Sequence, residues 1–297
     1  MKILIPLGNG SCWGNNNELR YMLRSIEQNL KGDYEIEIYG DAPEWVTNVT
    51  VVKTERYYPE WLKEENAKKK RGLDYENFFD TLNKVKMFSE ANEGDFLYMY
   101  DDVLVIKEIS IEDIQNTPLE FEEPEFYHIR KHEKHGRTIN TSVELLALKH
   151  RGSFYNYLLS NNIKFDVYDR ILNYETHLPR KYNIKKLKLL IDYFNFTELK
   201  IPYALATLYF NYYPEDAGDS SFEPIKKIKA GFYGTDENVA SYLSGSLQEI
   251  ESATKDKIFV NYNDMGLNCM ATDLSGKQYL KEWIMNRFPN KSKYEND

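Results

Sequence analysis

Cysteine is almost absent: Cys12 and Cys269 are the only two, too few and too far apart for a disulfide framework or a cysteine-based metal site. Both are read as free thiols. Long apolar runs are absent too, with no stretch near the ~18 consecutive apolar residues that a membrane span needs. The opening run, Met1 to Leu7, holds one lysine and is broken at Pro6 and Gly8, too short for the apolar region of a signal peptide. The expectation is no membrane span and a cytoplasmic location. Net positive charge is missing as well: 38 Lys and Arg stand against 47 Asp and Glu, a formal charge of −9, which argues against indiscriminate attraction to nucleic acid or anionic lipid.

The cations that are present gather in two places. His128 to Arg137 reads HIRKHEKHGR, with Glu133 its single acid, and Arg180, Lys181, Lys185, Lys186 and Lys188 have no acid among them. An acidic protein that concentrates cations in this way can meet a polyanion there. Two solvated faces are the alternative.

The 297 residues suffice for one large α/β domain with a helical C-terminal half. Lys2 to Leu7 reads as a buried strand emptying into the loop Gly8-Asn9-Gly10-Ser11. Asn15 and Glu18 have capping-box spacing, and Leu19, Met22, Leu23, Ile26 and Leu30 follow at helical spacing. Glu35 to Tyr39 and Val49 to Lys53 read as strands. Tyr57 to Gly72, rich in Lys and Glu, reads as a mobile surface excursion whose length and polarity permit a lid. Phe78, Leu82, Val85 and Phe88 give a helix ended by Gly94. Val143 to Leu148 is expected as a strand, Phe154 to Asn161 and Ile184 to Tyr193 as helices, and Lys257 to Val260 as a last strand. Alternating strands and helices in the first half argue an α/β sheet with parallel pairing.

Phe96 to Tyr100 and Val103 to Ile106 are apolar stretches interrupted by Asp101 and Asp102. Packing does not justify two adjacent carboxylates there, because burying them is costly unless something neutralises them. Ligands of α/β sheets gather at the carboxyl ends of strands, and carboxylates suit Mg²⁺ or Mn²⁺ bridging a diphosphate. A β-turn or helix cap is the competing explanation. The Gly8 to Ser11 loop offers backbone N–H groups to phosphate, without being a P-loop. Arg20 and Arg24 either face the ligand or pair with Glu27, and Lys84 is placed to neutralise phosphate. His177, kept out of a helix by Leu178-Pro179, can serve as general base or metal ligand. Asn263-Asp264 follows the last strand.

Together these segments resemble a known family. NNELRYMLRSI (Asn16 to Ile26), IEIYGDAPEWV (Ile36 to Val46) and DFLYMYDDVLV (Asp95 to Val105) are similar to the second conserved region of the stealth proteins, capsular polysaccharide phosphotransferases related to the lysosomal-enzyme GlcNAc-1-phosphotransferase. His177-Leu178-Pro179 is similar to the H-x-P opening of the third region and FVNYND (Phe259 to Asp264) to the Asn-Asp of the fourth. Tyr100 replaces the usual Asn before the acid pair, which makes the site resemble the x-D-D variant in GT-A glycosyltransferases. Tyr203 to Thr207 stands where the family has an arginine, a departure that favours transfer of a sugar over a sugar phosphate.

The resemblance implies a GT-A-like, Rossmann-like mixed sheet flanked by helices, in one domain over 1–297, with 1–150 as the nucleotide-sugar half and 151–297 as the acceptor half. It implies that Asp101 and Asp102 hold Mn²⁺ or Mg²⁺ and the donor diphosphate, that Gly8, Asn9, Gly10 and Ser11 touch the nucleotide, and that His177 and Asp264 line the reacting centre. The expected activity is transfer from a UDP-sugar to an acceptor hydroxyl. The basic clusters suggest a polyanionic acceptor, such as hydroxymethylated bases of bacteriophage DNA. Sugar-1-phosphate transfer to a capsular or cell-wall glycan, and a non-catalytic DNA- or glycan-binding protein on a transferase fold, are the alternatives.

Overall fold

The computed structural model describes residues 1–8, 13–69, 75–116, 134–146, 148–161, 171–175, 177–217, 227–228, 232–233, 247–255, 257–261 and 275–296. The chain opens with β1 (Lys2–Pro6), α1 (Asn17–Asn29), β2 (Leu30–Lys31), β3 (Glu35–Tyr39), β4 (Thr50–Val52), α2 (Glu60–Lys69), α3 (Glu76–Ala91), β5 (Asp95–Tyr98), β6 (Val103–Val105) and β7 (Ile109–Ser110). There follow α4 (Lys134–Leu145), α5 (Leu148–Ser160), β8 (Arg180–Asn183), α6 (Ile184–Tyr193), α7 (Leu205–Tyr212), β9 (Lys227–Ile228), β10 (Phe232–Tyr233), α8 (Leu247–Thr254), β11 (Phe259–Asn261) and α9 (Ser275–Arg287).

The central sheet has the order β4-β3-β1-β5-β8. Its first four strands are mutually parallel, and β8 runs antiparallel on β5, pairing Arg180 with Tyr98. It is thus a mixed α/β sheet dominated by parallel pairing, with helices on both faces. Period-two alternation sorts the strand residues. Ile3 and Ile5 of β1, with Leu97 and Met99 at β5, pack on the face covered by Leu19, Met22, Leu23 and Ile26 of α1. Leu4, Phe96 and Tyr98 face the opposite way, onto Val85 and Phe88 of α3 and the aromatic residues of α6 and α7. Outside the sheet, β6 pairs antiparallel with β11, Val103 opposite Asn261. Among the described residues no helix is long and apolar enough to cross a membrane.

Three local expectations are corrected. Val143 to Leu148 is not a strand: Val143 lies in α4, where it and Ile139 are buried one turn apart, and Leu146 is buried just past the helix end. Asn15 does not cap α1. Asn15 and Asn16 both adopt left-handed backbone, φ 52° and 50°, and the Glu18 carboxylate accepts from the Trp13 N–H at 2.7 Å. The Tyr57 to Gly72 segment is helical over α2, and Trp61 anchors it by donating from its indole to the Thr197 carbonyl at 3.0 Å, with Leu62 buried.

Candidate functional site

Three strand exits meet at the carboxyl edge of the sheet. Leu7, just past β1, donates its N–H to the Tyr39 carbonyl at 2.9 Å. Gly40 follows Tyr39 at φ +148°, where an added Cβ would lie 2.4 Å from the Leu7 carbonyl oxygen. Only glycine permits so close an approach of the two backbones. From below, the ammonium of Lys84, 2% exposed, donates to the Leu7 carbonyl at 2.6 Å and to Asp80 at 2.5 Å, while the other oxygen of Asp80 accepts from the Tyr57 N–H. Lys84 is therefore a buried brace for the exit of β1, and its two described hydrogen bonds hold protein groups. Gly8 is exposed at that exit. Asn9, Gly10 and Ser11 lie outside the described residues.

The third exit carries the acids. Met99 extends the β5 pairing, its N–H donating to the Leu4 carbonyl at 3.0 Å, and a turn then closes between the Val103 N–H and the Tyr100 carbonyl at 3.4 Å. Asp101 and Asp102 occupy its two central positions and are half-buried. The acid pair thus sits in a β-turn, and the turn stands where an α/β sheet presents its ligands. Asn261, fully buried at the end of β11, donates its side-chain amide to Asp102 Oδ1 at 2.8 Å. The chain leaves β11 toward Asp264 from that point, but Asp264 lies outside the described residues. Among the described residues, no three His, Cys, Asp or Glu side chains converge as a metal-binding group. Two adjacent carboxylates nevertheless fit Mg²⁺ or Mn²⁺, which are commonly held by one or two carboxylates with the rest of the shell drawn from substrate phosphate and water.

Tyr100 joins the acid pair to the rest of the edge. Its ring stacks on His177, centroids 5.1 Å apart and planes at 26°, and packs edge-on to Tyr98 at 4.9 Å. His177 is held in left-handed backbone, φ 46°, a conformation that costs a non-glycine residue about 1–3 kcal/mol and persists where surroundings over-determine it. The Tyr100 hydroxyl accepts from Arg180 Nη1 at 2.8 Å. Arg180 is 3% exposed, and its Nη2 lies 3.7 Å from Glu175. Burial opposes the charge of Arg180, but Tyr100 and Glu175 outweigh it and raise its pKa, so the group stays a guanidinium. Burial likewise raises the Tyr98 and Tyr100 phenols above their ordinary value, leaving both protonated at neutral pH. Beside this assembly lies a cleft of about 250 Å³ walled by α3, the end of β5, the Glu175 to Tyr182 segment and the approach to α7.

The structure therefore brings His177 to Tyr100, the residue before Asp101. It gives other work to Arg20 and Arg24. Arg24 forms a two-point ion pair with Glu295, 2.7 and 2.9 Å, and Arg20 reaches the same carboxylate at 3.2 Å while lying over Trp45. These arginines lock the C-terminal segment onto α1, and neither pairs with Glu27 there. Three of the five cations of the second basic cluster are engaged within the fold. Arg180 is buried, Lys181 donates to the Glu112 carbonyl, and Lys186 pairs with Glu215 at 2.7 Å and Asp216 at 2.6 Å. Most of the first cluster lies outside the described residues. Sequence reasoning passed over Asn261, Glu175 and the role of Arg180. The signal for Arg180 was present in its place directly after His177-Leu178-Pro179, with Glu175 five residues upstream.

No protein-family model matches the chain, and no curated protein matches it. Among solved structures it is similar to a galactosyltransferase, LgtC, in complex with donor and acceptor sugar analogues, at TM-score 0.42 and 9% identity, covering 99% of this chain and 98% of that one. It is similar also to an active-site Gln-to-Glu mutant of LgtC, at TM-score 0.41 and 10% identity over the same shares.

Proposed function

We propose that this chain is a metal-dependent glycosyltransferase that moves a sugar from a nucleotide-diphosphate donor, a UDP-sugar, to an acceptor hydroxyl. The observation that carries the reading is the half-buried Asp101-Asp102 turn at the carboxyl end of β5, steadied by Asn261 and adjoining, through Tyr100, a cleft with aromatic walls. In this reading residues 1–150 bind the nucleotide sugar and 151–297 supply the acceptor side of one domain.

The roles follow from position. Asp101 and Asp102 would hold Mn²⁺ or Mg²⁺ against the donor diphosphate, with the Asn261 amide holding the Asp102 carboxylate in one orientation. A cation there supplies charge stabilisation for the departing nucleoside diphosphate. The loop from Gly8 to Ser11 would contact the nucleotide, with Lys84 and Gly40 setting its start. His177, stacked on Tyr100, would take the proton from the acceptor hydroxyl, a role shared as candidate with Asp264.

Sugar-1-phosphate transfer is less well supported. A phosphoryl group entering the cleft would want an uncompensated cation, whereas Arg180 stands beside Glu175. The pairing of Lys186 with Glu215 and Asp216 also weakens the support for DNA as acceptor that the second basic cluster provided. The test is incubation with Mn²⁺ or Mg²⁺ and a panel of nucleotide sugars, with and without hydroxymethylcytosine DNA, separating nucleoside diphosphate from monophosphate. Diphosphate release supports sugar transfer, monophosphate release favours sugar-phosphate transfer, and silence from every donor overturns the enzymatic reading.

A further inference from the structure

The cleft beside Tyr100 combines unsatisfied polar groups with a balanced charge. Arg180 spends Nη1 on the Tyr100 hydroxyl, while its Nε and Nη2 are buried with no hydrogen-bond partner among the described residues, and the buried Tyr203 hydroxyl is in the same condition. Both residues line the cleft. Native proteins seldom leave buried donors unpaired, and such groups beside a cleft point to a ligand that satisfies them.

Glu175 decides the kind of ligand. Its Oε2 stands 3.7 Å from Arg180 Nη2, too long for a hydrogen bond but close enough to offset the guanidinium charge. Its other oxygen accepts from the Thr207 N–H at 3.2 Å, which fixes it at the first turn of α7. The cleft consequently offers a charged donor, a charged acceptor and a phenol hydroxyl with little net charge, in a wall that also includes Tyr98, Tyr100 and Tyr182. Its volume of about 250 Å³ falls below the ~300–1,000 Å³ typical of sites for drug-sized ligands, so it suits a single ring rather than a nucleotide.

We propose that this cleft is a subsite for the ring of a neutral hexose, and that Glu175 makes it reject a uronate or a sugar phosphate. Vicinal hydroxyls both donate and accept, so they can satisfy the guanidinium edge and Tyr203 together and share Glu175. An acidic ring would bring a second negative charge beside Glu175 in a low-dielectric site, where unpaired charge is costly. Identifying this ring with the transferred sugar rests on the transferase reading; the selectivity for a neutral ring does not.

The test is saturation-transfer NMR on the full chain, without nucleotide or added metal, using glucose, galactose and mannose beside glucuronate, galacturonate and glucose-6-phosphate. At least one neutral hexose binds, and its acidic counterpart binds at least tenfold more weakly. Glu175→Gln, which keeps an acceptor for Thr207 but leaves Arg180 uncompensated, shifts that preference at least tenfold toward the acidic ring. Tyr203→Phe weakens the hexose severalfold at unchanged melting temperature. The proposal is overturned if no hexose binds, if the acidic ring binds wild type as well as the neutral one, or if Glu175→Gln leaves the preference where it was. Hexose binding without turnover of any donor would retain the subsite and remove the transferase reading. Turnover of a UDP-uronate in preference to UDP-hexoses would do the reverse.

Discussion

The amide of Asn261 donates to the carboxylate of Asp102 across 2.8 Å and 159 residues of chain. That bond ties the end of β11 to the turn after β5, so the orientation of the candidate metal ligand depends on a strand from the far end of the sequence. Removing an outer-shell partner typically costs 10–100-fold in metal affinity. Asn261→Ala should therefore raise the Mn²⁺ concentration for half-maximal UDP binding by about 10–100-fold, measured by calorimetry, while Asp102→Ala should abolish the metal dependence. An Asn261→Ala protein with wild-type metal response would show that the bond is only structural.

Arg24 and Glu295 supply a contrasting, structural ion pair. Burial pushes the Glu295 carboxyl up, but its hydrogen bonds with Arg24 and Ser292 outweigh that and hold it below its ordinary 4.5. A carboxylate whose folded pKa is depressed contributes stability that is present above its unfolded value and lost as pH falls through the folded one. Glu295→Gln should thus lower the melting temperature at pH 7, and the gap from wild type should close once the pH falls well below 4.5. Arg24→Ala should cost about 3 kcal/mol in urea unfolding, the low end for breaking a buried pair because Arg24 keeps some exposure, without weakening UDP binding. Loss of UDP binding in a folded Arg24→Ala protein would return this arginine to the donor site.

Lys84 and Asp80 form a buried pair at 2.5 Å beneath the β1 exit. Lys84→Met alone strands the Asp80 charge and should cost about 3–5 kcal/mol, whereas Lys84→Met with Asp80→Leu should recover part of that loss. A double-mutant cycle by urea unfolding checks this; strictly additive losses would mean that the two side chains act independently.

Gly40 bears on the site through backbone clearance. Gly40→Ala would place a Cβ 2.4 Å from the Leu7 carbonyl oxygen at φ +148°, a strain of about 1–3 kcal/mol or more. It should lower the melting temperature and, by displacing the exit of β1, weaken UDP binding. Unchanged stability would show that the two exits separate freely.

The sequence carried most of what is local. The Glu35–Tyr39 strand and the Ile184–Tyr193 helix declare themselves by alternation and helical spacing, because each buries one face of a regular element. Val143 to Leu148 taken alone reads as a short, mostly apolar run, whereas the helical face to which Val143 belongs begins at Ile139. The acid pair was legible because two carboxylates interrupt an apolar segment. The partners of charges were not. Arg24 had Glu27 within reach along the helix, yet it meets Glu295, 271 residues away. Lys186 finds Glu215 and Asp216 about a turn past α7, and the acid that answers Arg180 lies just outside the run of cations. Charge pairing across a fold leaves no periodic trace, so a local count of cations overstated the free positive charge.

The most direct test of the account is calorimetric binding of UDP to wild type and to Asp102→Ala, each with Mn²⁺ and with a chelator. Wild type should bind UDP at least tenfold more tightly with Mn²⁺, and Asp102→Ala should lose this enhancement while keeping its melting temperature. UDP binding that is equally tight with the chelator, or equally metal-dependent in Asp102→Ala, would contradict the assignment of the metal and diphosphate to the Asp101-Asp102 turn.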